Sequence, residues 1–328
     1  MCLRVLLALV FAVPALLAAP PRVLVSTDLG GDPDDIQSLY RLLHYSEMFA
    51  IEGIVSSPGP GAENDADKIR LWIREIRIEQ IRANGHPGLI TEERALSLVT
   101  QGQTSTGAPS VERRTVGSDM IVERANAGEA PLWVLVWGSL TDLAQALHDA
   151  PSIAPKIRIY SIGSSNTVRD PASRDYVFDG LKEGWPNLWW VENGLLPRLS
   201  TDTFRGVYLG GEQSGEWGNK EFVYKNIRGH GPEAGDALPM AEWPDGTLKE
   251  GDSPSLLYLM GPVLGGVGDV DDPTQPSWGG RFRHSNAERF PNYYVDIEGT
   301  AEECQATINR WRVDYLKDWK ARWDWYQK

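Results

Sequence analysis

Residues 22–38 read RVLVSTDLGGDPDDIQS, and this stretch decides the fold. Val23 to Val25 is an apolar run of the kind that forms a buried strand. The run ends at Asp28, and Gly30-Gly31 follow as a tight turn. Ile36, Leu39, Tyr40 and Leu43 then recur at i, i+3, i+4 and i+7, the spacing of a helix with one apolar face. Four carboxylates, Asp28, Asp32, Asp34 and Asp35, therefore crowd the junction between a strand and a helix. The helix dipole favours Asp34 and Asp35 by about 1 kcal/mol, too little to offset the repulsion among four acids. A divalent cation would offset it, and an all-oxygen ligand set suits a hard ion, Ca2+ or Mg2+. The bland alternative is a solvated, acidic helix start. Against it stand the buried strand and the tendency of ligands to bind at the carboxyl ends of strands in α/β sheets.

Alternating strands and helices extend this pattern. Phe49 to Val55 reads as a second strand, and Asn64 to Arg77 as a helix with Ile69, Trp72, Ile73 and Ile76 on one face. Thr100 to Val116 reads as a surface loop, followed by a helix capped by Ser118 and stopped at Gly128. Leu132 to Trp137, LWVLVW, is a continuous apolar run, as in a parallel strand buried on both faces. Gly138-Ser139 breaks it before a helix marked by Leu140, Leu143, Ala144 and Leu147, with Ser139 and Asp142 spaced as a capping box. Pro155 to Ile162 reads as a further strand. The expectation is an α/β fold with a mostly parallel central sheet, flanking helices and long loops over its carboxyl end. Residues 200–291, rich in Gly, Pro and Trp, supply those loops. The aromatic stripe Trp311, Tyr315, Trp319 and Trp323, in a helix expected over 301–326, reads as core.

Residues 1–19 read as a signal peptide: Arg4, an apolar stretch from Val5 to Leu17, then Leu17-Ala18-Ala19 as a cleavage site. The stretch is shorter than the ~20 residues of a membrane span. Residues 20–328 then form one domain, exported to the periplasm or beyond. Losing Arg4 takes the formal charge from −13 to −14, which argues against nucleic-acid partners. Cys304 remains as the only cysteine, so no internal disulfide forms. The sequence leaves the oligomeric state, including a homodimer, open.

The opening stretch resembles the N-terminal signature of the calcium-dependent nucleoside hydrolases, Asp-x-Asp-Pro-Gly-x-Asp-Asp. It is more similar to their exported relatives of the Sde182 type, once called cellulose-binding proteins. Ser26 stands for the signature's first Asp, Leu29 for its Pro, and two extra residues precede Asp34-Asp35. VWGSLTDLAQAL is similar to the family's Gly-Pro-Leu-Thr-Asn segment, PKIR to one of its strands, and Trp278-Gly279-Gly280-Arg281-Phe282 to the Sde182-type relatives. The resemblance implies a nucleoside-hydrolase-like fold and a Ca2+ held by Asp28, Asp35, Asp252 and the backbone carbonyl of Trp137. It implies Asp28 as general base, and Asp34 and Asn187 as partners of the sugar hydroxyls. Gly251 stands where the family's proton-donating His would be, so His230, His284 or Glu250 would have to reach in, or the leaving group needs no donor.

The implied activity is hydrolysis of a glycosyl bond in a furanoside or related glycoside. One rival is a non-catalytic carbohydrate-binding protein using Trp185, Trp189, Trp217, Trp243 and Trp278 as stacking platforms. Another is a phosphatase of the Asp-x-Asp type, which the missing first Asp disfavours. No GxxxxGK[ST], HExxH, CxxC or GxSxG motif is present.

Overall fold

The computed structural model describes residues 19–30, 33–59, 65–194, 203–231 and 247–327. Asp32, Asn64, Trp243 and nearly all of the expected signal peptide lie outside the described residues. Eight strands form one sheet: β1 (Arg22–Thr27), β2 (Ala50–Ser56), β3 (Val99–Gln101), β4 (Leu132–Val136), β5 (Ile157–Ile162), β6 (Trp189–Asn193), β7 (Phe282–His284) and β8 (Tyr293–Asp296). Their order is β3-β2-β1-β4-β5-β6-β8-β7, with every neighbouring pair parallel except the edge pair β7 and β8.

The apolar runs account for this sheet. In β4, Trp133 and Leu135 enter one core while Leu132, Val134 and Val136 enter the core on the opposite face. In β1, Val23 and Val25 face the first core and Leu24 the second. The chain winds outward from β1 through β2 to β3, returns to β4 beside β1, and winds out the other way. The carboxyl ends of β1 and β4 therefore flank the point where the winding reverses, where helices leave on opposite faces and open a crevice. Asp28 follows β1 and Trp137 follows β4, so both stand at that crevice.

Several local expectations change. The helix after β3 runs Val116–Asn126, and its cap is Thr115. Ser118 is the third helical residue, completing a capping box with Thr115. Ser139 and Asp142 do not cap the helix Thr141–Asp149. The buried Asp142 instead accepts from Ser57 Oγ (2.7 Å), Thr115 Oγ1 (2.9 Å) and the Gln103 N–H (3.0 Å). Burial nonetheless pushes its carboxyl above the usual range. The last helix is two, Ala301–Asn309 and Arg312–Asp324. Between them the chain tightens to a Trp311 N–H to Ile308 carbonyl bond of 3.0 Å, while Asn309 donates to the Leu209 carbonyl at 2.9 Å. Tyr315, Trp319 and Trp323 are core, and Cys304 is buried and free. Among the described residues, no helix is long and apolar enough to cross a membrane.

Candidate active site

Two helix starts converge on the crevice. Asp34 and Asp35 open the helix Asp34–His44. Asp252 takes the cap position of the helix Ser253–Met260 but makes no capping bond. The loop carrying Asp252 is held by three side chains of the first helix. Gln37 Oε1 accepts from the N–H groups of Lys249 and Glu250, each at 2.7 Å. The Ser38 and Ser253 hydroxyls lie 2.9 Å apart. Arg41 pairs with Glu250 through two bonds of 2.6 and 2.9 Å, both side chains fully buried, and its guanidinium lies 4.0 Å from the Trp319 ring centroid. Glu250 sits at φ 48°, a left-handed conformation that costs energy and is held by these bonds.

The carboxylates of Asp34, Asp35 and Asp252 offer oxygens all within 4.8 Å of one another. Asp35 also accepts from the Thr27 hydroxyl. Asp34 pairs with Lys249 Nζ at 2.9 Å. The Asp252 Oδ2 atom is buried and has no hydrogen-bond partner among the described residues. Burial, and then the charges of Asp34, Asp35 and Asp28, push the Asp252 carboxyl well above the usual carboxylate range. Two glycines make room for Asp28. A Cβ on Gly59 would overlap its carboxylate, and one on Gly138 would lie 2.7 Å from its Oδ1. The Trp137 carbonyl accepts from Asn166 Nδ2 at 2.7 Å, and the Trp137 indole donates to Ser255 Oγ at 2.9 Å, tying the end of β4 to the Asp252 helix.

These groups share one cavity of about 270 Å³. Asp28, Asp34, Asp35, Trp137 and Asp252 line it, so the structure brings together five of the seven residues singled out in the sequence. A buried carboxylate oxygen without a partner, inside an all-oxygen cluster, fits a hard divalent cation.

Asn187 and Trp278 do not line the cavity. Asn187 is exposed and precedes β6, whereas the cavity opens beyond the carboxyl ends of the strands. The five-residue strand puts it roughly 17 Å away, at the wrong end of the strand for the expected sugar contact. Trp278 is 2% exposed, its indole seated against Gly265 and edge-on to Tyr315. Trp189 is likewise core, packed against Trp133. These two indoles cannot serve as open platforms.

None of the three substitute proton donors reaches the cavity. His230 pairs with Asp324 at 3.1 Å, His284 packs on Tyr294, and Glu250 is committed to Arg41. Gly251 has a local explanation: a Cβ there would overlap Asp34 Oδ2. Sequence reasoning missed Asn166, Arg169, Arg205, Tyr208 and Lys249, which also line the cavity. Asn166 carried a signal. Ile162-Gly163-Ser164-Ser165-Asn166 ends β5 as Asp28-Leu29-Gly30 ends β1, with an apolar strand running into glycine and polar residues.

The sequence model of one family, described as "Cellulose-binding Sde182, nucleoside hydrolase-like domain", matches residues 22–282. Among solved structures, the chain is similar to a nucleoside hydrolase-related hypothetical protein from Saccharophagus degradans that is associated with carbohydrate metabolism. The two share 24% identity over 94% of this chain and 72% of that one, with a TM-score of 0.68. The effector protein XOO4466 is 14% identical over 90% of this chain and 94% of its own, with a TM-score of 0.55. The inosine-uridine preferring nucleoside hydrolase from Bacillus anthracis is 16% identical over 89% and 99%, with a TM-score of 0.48. The chain matches no curated protein.

Proposed function

Because the chain belongs to the family of the Sde182 nucleoside hydrolase-like domain, we propose that it hydrolyses a glycosyl bond at the switch-point cavity with the help of a bound Ca2+. The observation that carries this reading is the partnerless, buried Asp252 oxygen beside Asp34 and Asp35. Asp28, Asp35, Asp252 and the Trp137 carbonyl are the ligands we assign to the ion. When bound, the ion supplies charge that neutralises the cluster and acidifies a water.

The remaining chemistry belongs to side chains. Asp28, fixed between Gly59 and Gly138, takes the proton of the attacking water. Asp34, oriented by Lys249, and Asn166, beside the Trp137 carbonyl, hold the sugar hydroxyls. Asn166 thus takes the role expected of Asn187. The acidic floor favours oxocarbenium-like charge on the sugar. With no side chain at position 251, the reading favours an O-glycoside or an activated aryl riboside over inosine or uridine. Export rests on the leader-like stretch from Val5 to Leu17.

The test is release of nitrophenol from p-nitrophenyl β-D-ribofuranoside, with Ca2+ and with a chelator. Turnover that needs Ca2+ and falls about 10²–10⁴-fold in Asp28→Asn supports the reading. The family description names cellulose binding, and the cavity lacks a His donor among its described residues. Calcium-dependent sugar binding without turnover of any glycoside would therefore favour a binding protein.

A further inference from the structure

We propose that the crevice between the helix Ala301–Asn309 and residues 276–281 is a second binding site, for a sugar that carries a carboxylate or a phosphate, with Arg281 and Arg310 taking its charge. This site does not depend on the glycosyl reading above. The crevice has a volume of about 200 Å³ and shares no lining residue with the acidic cavity. Ile297, one of its lining residues, directly follows β8, so the crevice stands at the same carboxyl edge of the sheet. In the sheet order β8 lies four strands from β1. At about 4.8 Å per strand, the two sites are about 19 Å apart along that edge.

Arginines without acids stand out in a chain where 45 acidic residues face 32 lysines and arginines. Arg22, Arg41, Arg158, Arg174 and Arg322 each pair with a carboxylate. Arg281 and Arg310 are exposed at the crevice and have no ion-pair partner among the described residues. Each is nonetheless held in place. Arg281 Nε donates to the Thr274 carbonyl at 3.0 Å, which leaves the two terminal nitrogens of its fork for a ligand. The Arg310 guanidinium lies 5.0 Å from the Trp311 ring centroid. The acids nearby in sequence are engaged elsewhere: Asp271 with Arg158, Asp272 with the Thr274 hydroxyl and N–H, and Glu298 with Arg283. Among the described residues, Glu303 is the one carboxylate in the lining, and its Oε2 accepts the Thr300 N–H at 2.7 Å in the capping box that starts the helix. Two arginines against one glutamate leave the crevice with a net positive charge.

The rest of the lining selects a sugar over a bare anion. Pro276, Ile297 and Ala306 offer an apolar wall to the C–H face of a ring. The Thr307 hydroxyl donates to the Cys304 carbonyl at 2.7 Å, so its oxygen is left as an acceptor, like the carboxylate of Glu303. Acceptors repel an inorganic anion and take hydrogen bonds from sugar hydroxyls. Arginine forks match the oxygens of carboxylate and phosphate. The volume is below the roughly 300–1,000 Å³ of pockets for drug-sized ligands, which limits the occupant to about one ring.

The experiment is isothermal titration of the full protein in Ca2+ with glucose, glucuronate and glucose 6-phosphate, and with sulfate as the bare anion. The expected result is binding of at least one acidic sugar about 10-fold or more tighter than glucose or sulfate, as charge-assisted bonds allow. The sugar preferred identifies carboxylate or phosphate. Arg281→Gln and Arg310→Gln should each remove most of the preference while leaving the melting temperature unchanged, and 0.5 M salt should shrink it in the wild type. Chelation of Ca2+ should leave it intact, since the crevice lies well away from the acidic cluster. Equal binding of glucose and both acidic sugars overturns the proposal, and so does a preference that survives in both arginine variants. Sulfate bound as tightly as the better acidic sugar overturns the sugar. A preference that vanishes with calcium overturns the crevice as the site and places the acidic sugar at Asp28 and Asp252 instead.

Discussion

Removing one carboxylate from the cluster tests the metal reading most directly, because apo and loaded protein should respond in opposite directions. Asp252 carries a buried oxygen with no partner and is pushed toward its neutral form by burial and by three neighbouring acids. Asp252→Asn removes that strain, so the variant without metal should melt at or above the wild type. Calcium should reverse the order. At 100 times its Kd, an ion that binds only the folded state adds about 2.7 kcal/mol. An unfolding entropy of about 2.1 cal/mol/K per residue gives a chain of roughly 300 residues about 0.6 kcal/mol/K, so the wild type should gain about 4 °C. Asp252→Asn, with one anionic ligand gone, should gain well under half of that. The assay is differential scanning calorimetry of both proteins after chelation, with Ca2+ and, for comparison, Mg2+ added back. A wild type indifferent to both ions, or a variant that gains as much as the wild type, would falsify the assignment of Asp252 as a ligand.

Three further outcomes follow from the geometry. Gly251→Ala would drive a Cβ into Asp34 Oδ2 and dislodge Asp34 from Lys249; calcium-dependent ribose affinity should fall about 10-fold or more, and an unchanged Kd would remove Asp34 from the sugar site. Glu250→Gln leaves the fully buried Arg41 without its counter-ion and should cost about 3–5 kcal/mol in urea unfolding, whereas a loss below about 1 kcal/mol would mean that the pair does not anchor the Asp252 loop. His44 is fully buried, bonded to Trp319 Nε1 (3.1 Å) and near Tyr326 Oη (3.0 Å), and burial holds its pKa well below the ordinary imidazole value. Only the unfolded chain then takes up this proton as pH drops below about 6.5, so stability should fall with acidity by up to about 1.4 kcal/mol per pH unit from this group. His44→Gln should show a shallower pH slope between pH 6.5 and 5, and equal slopes would contradict the burial argument.

The parts of this protein legible in its sequence are those written in local patterns. LWVLVW reads as a doubly buried strand because the apolar run has no polar face, and the structure divides it between two cores. Asp28, Asp34 and Asp35 read as a site because a strand, a glycine turn and a helix follow within a few residues. Asp252 needed the family resemblance, since nothing local ties residue 252 to residue 34; Gln37, Ser38 and Arg41 make that tie across more than two hundred positions. Asn187 was misplaced because the strand begins two residues later, at Trp189, so its polar carboxyl end is Glu192-Asn193. Trp278 was expected as a sugar platform, yet Gly265 leaves room for its ring in the core. Arg169 and Arg205 follow different strands and reach one cavity only in the folded protein.

Charge balance also bears on why the acids can lie so close together. An acidic floor by itself attracts any cation and repels an anionic substrate. Lys249 already sits on Asp34, and an Asp252 oxygen is left without a partner among the described residues. A single bound divalent cation would offset most of the charge that remains on the floor. Ligand order follows from this charge balance. The ion should bind first and in the absence of sugar, and a glycosyl compound should bind only afterwards. Its affinity should rise with calcium concentration until the cluster is saturated and not beyond.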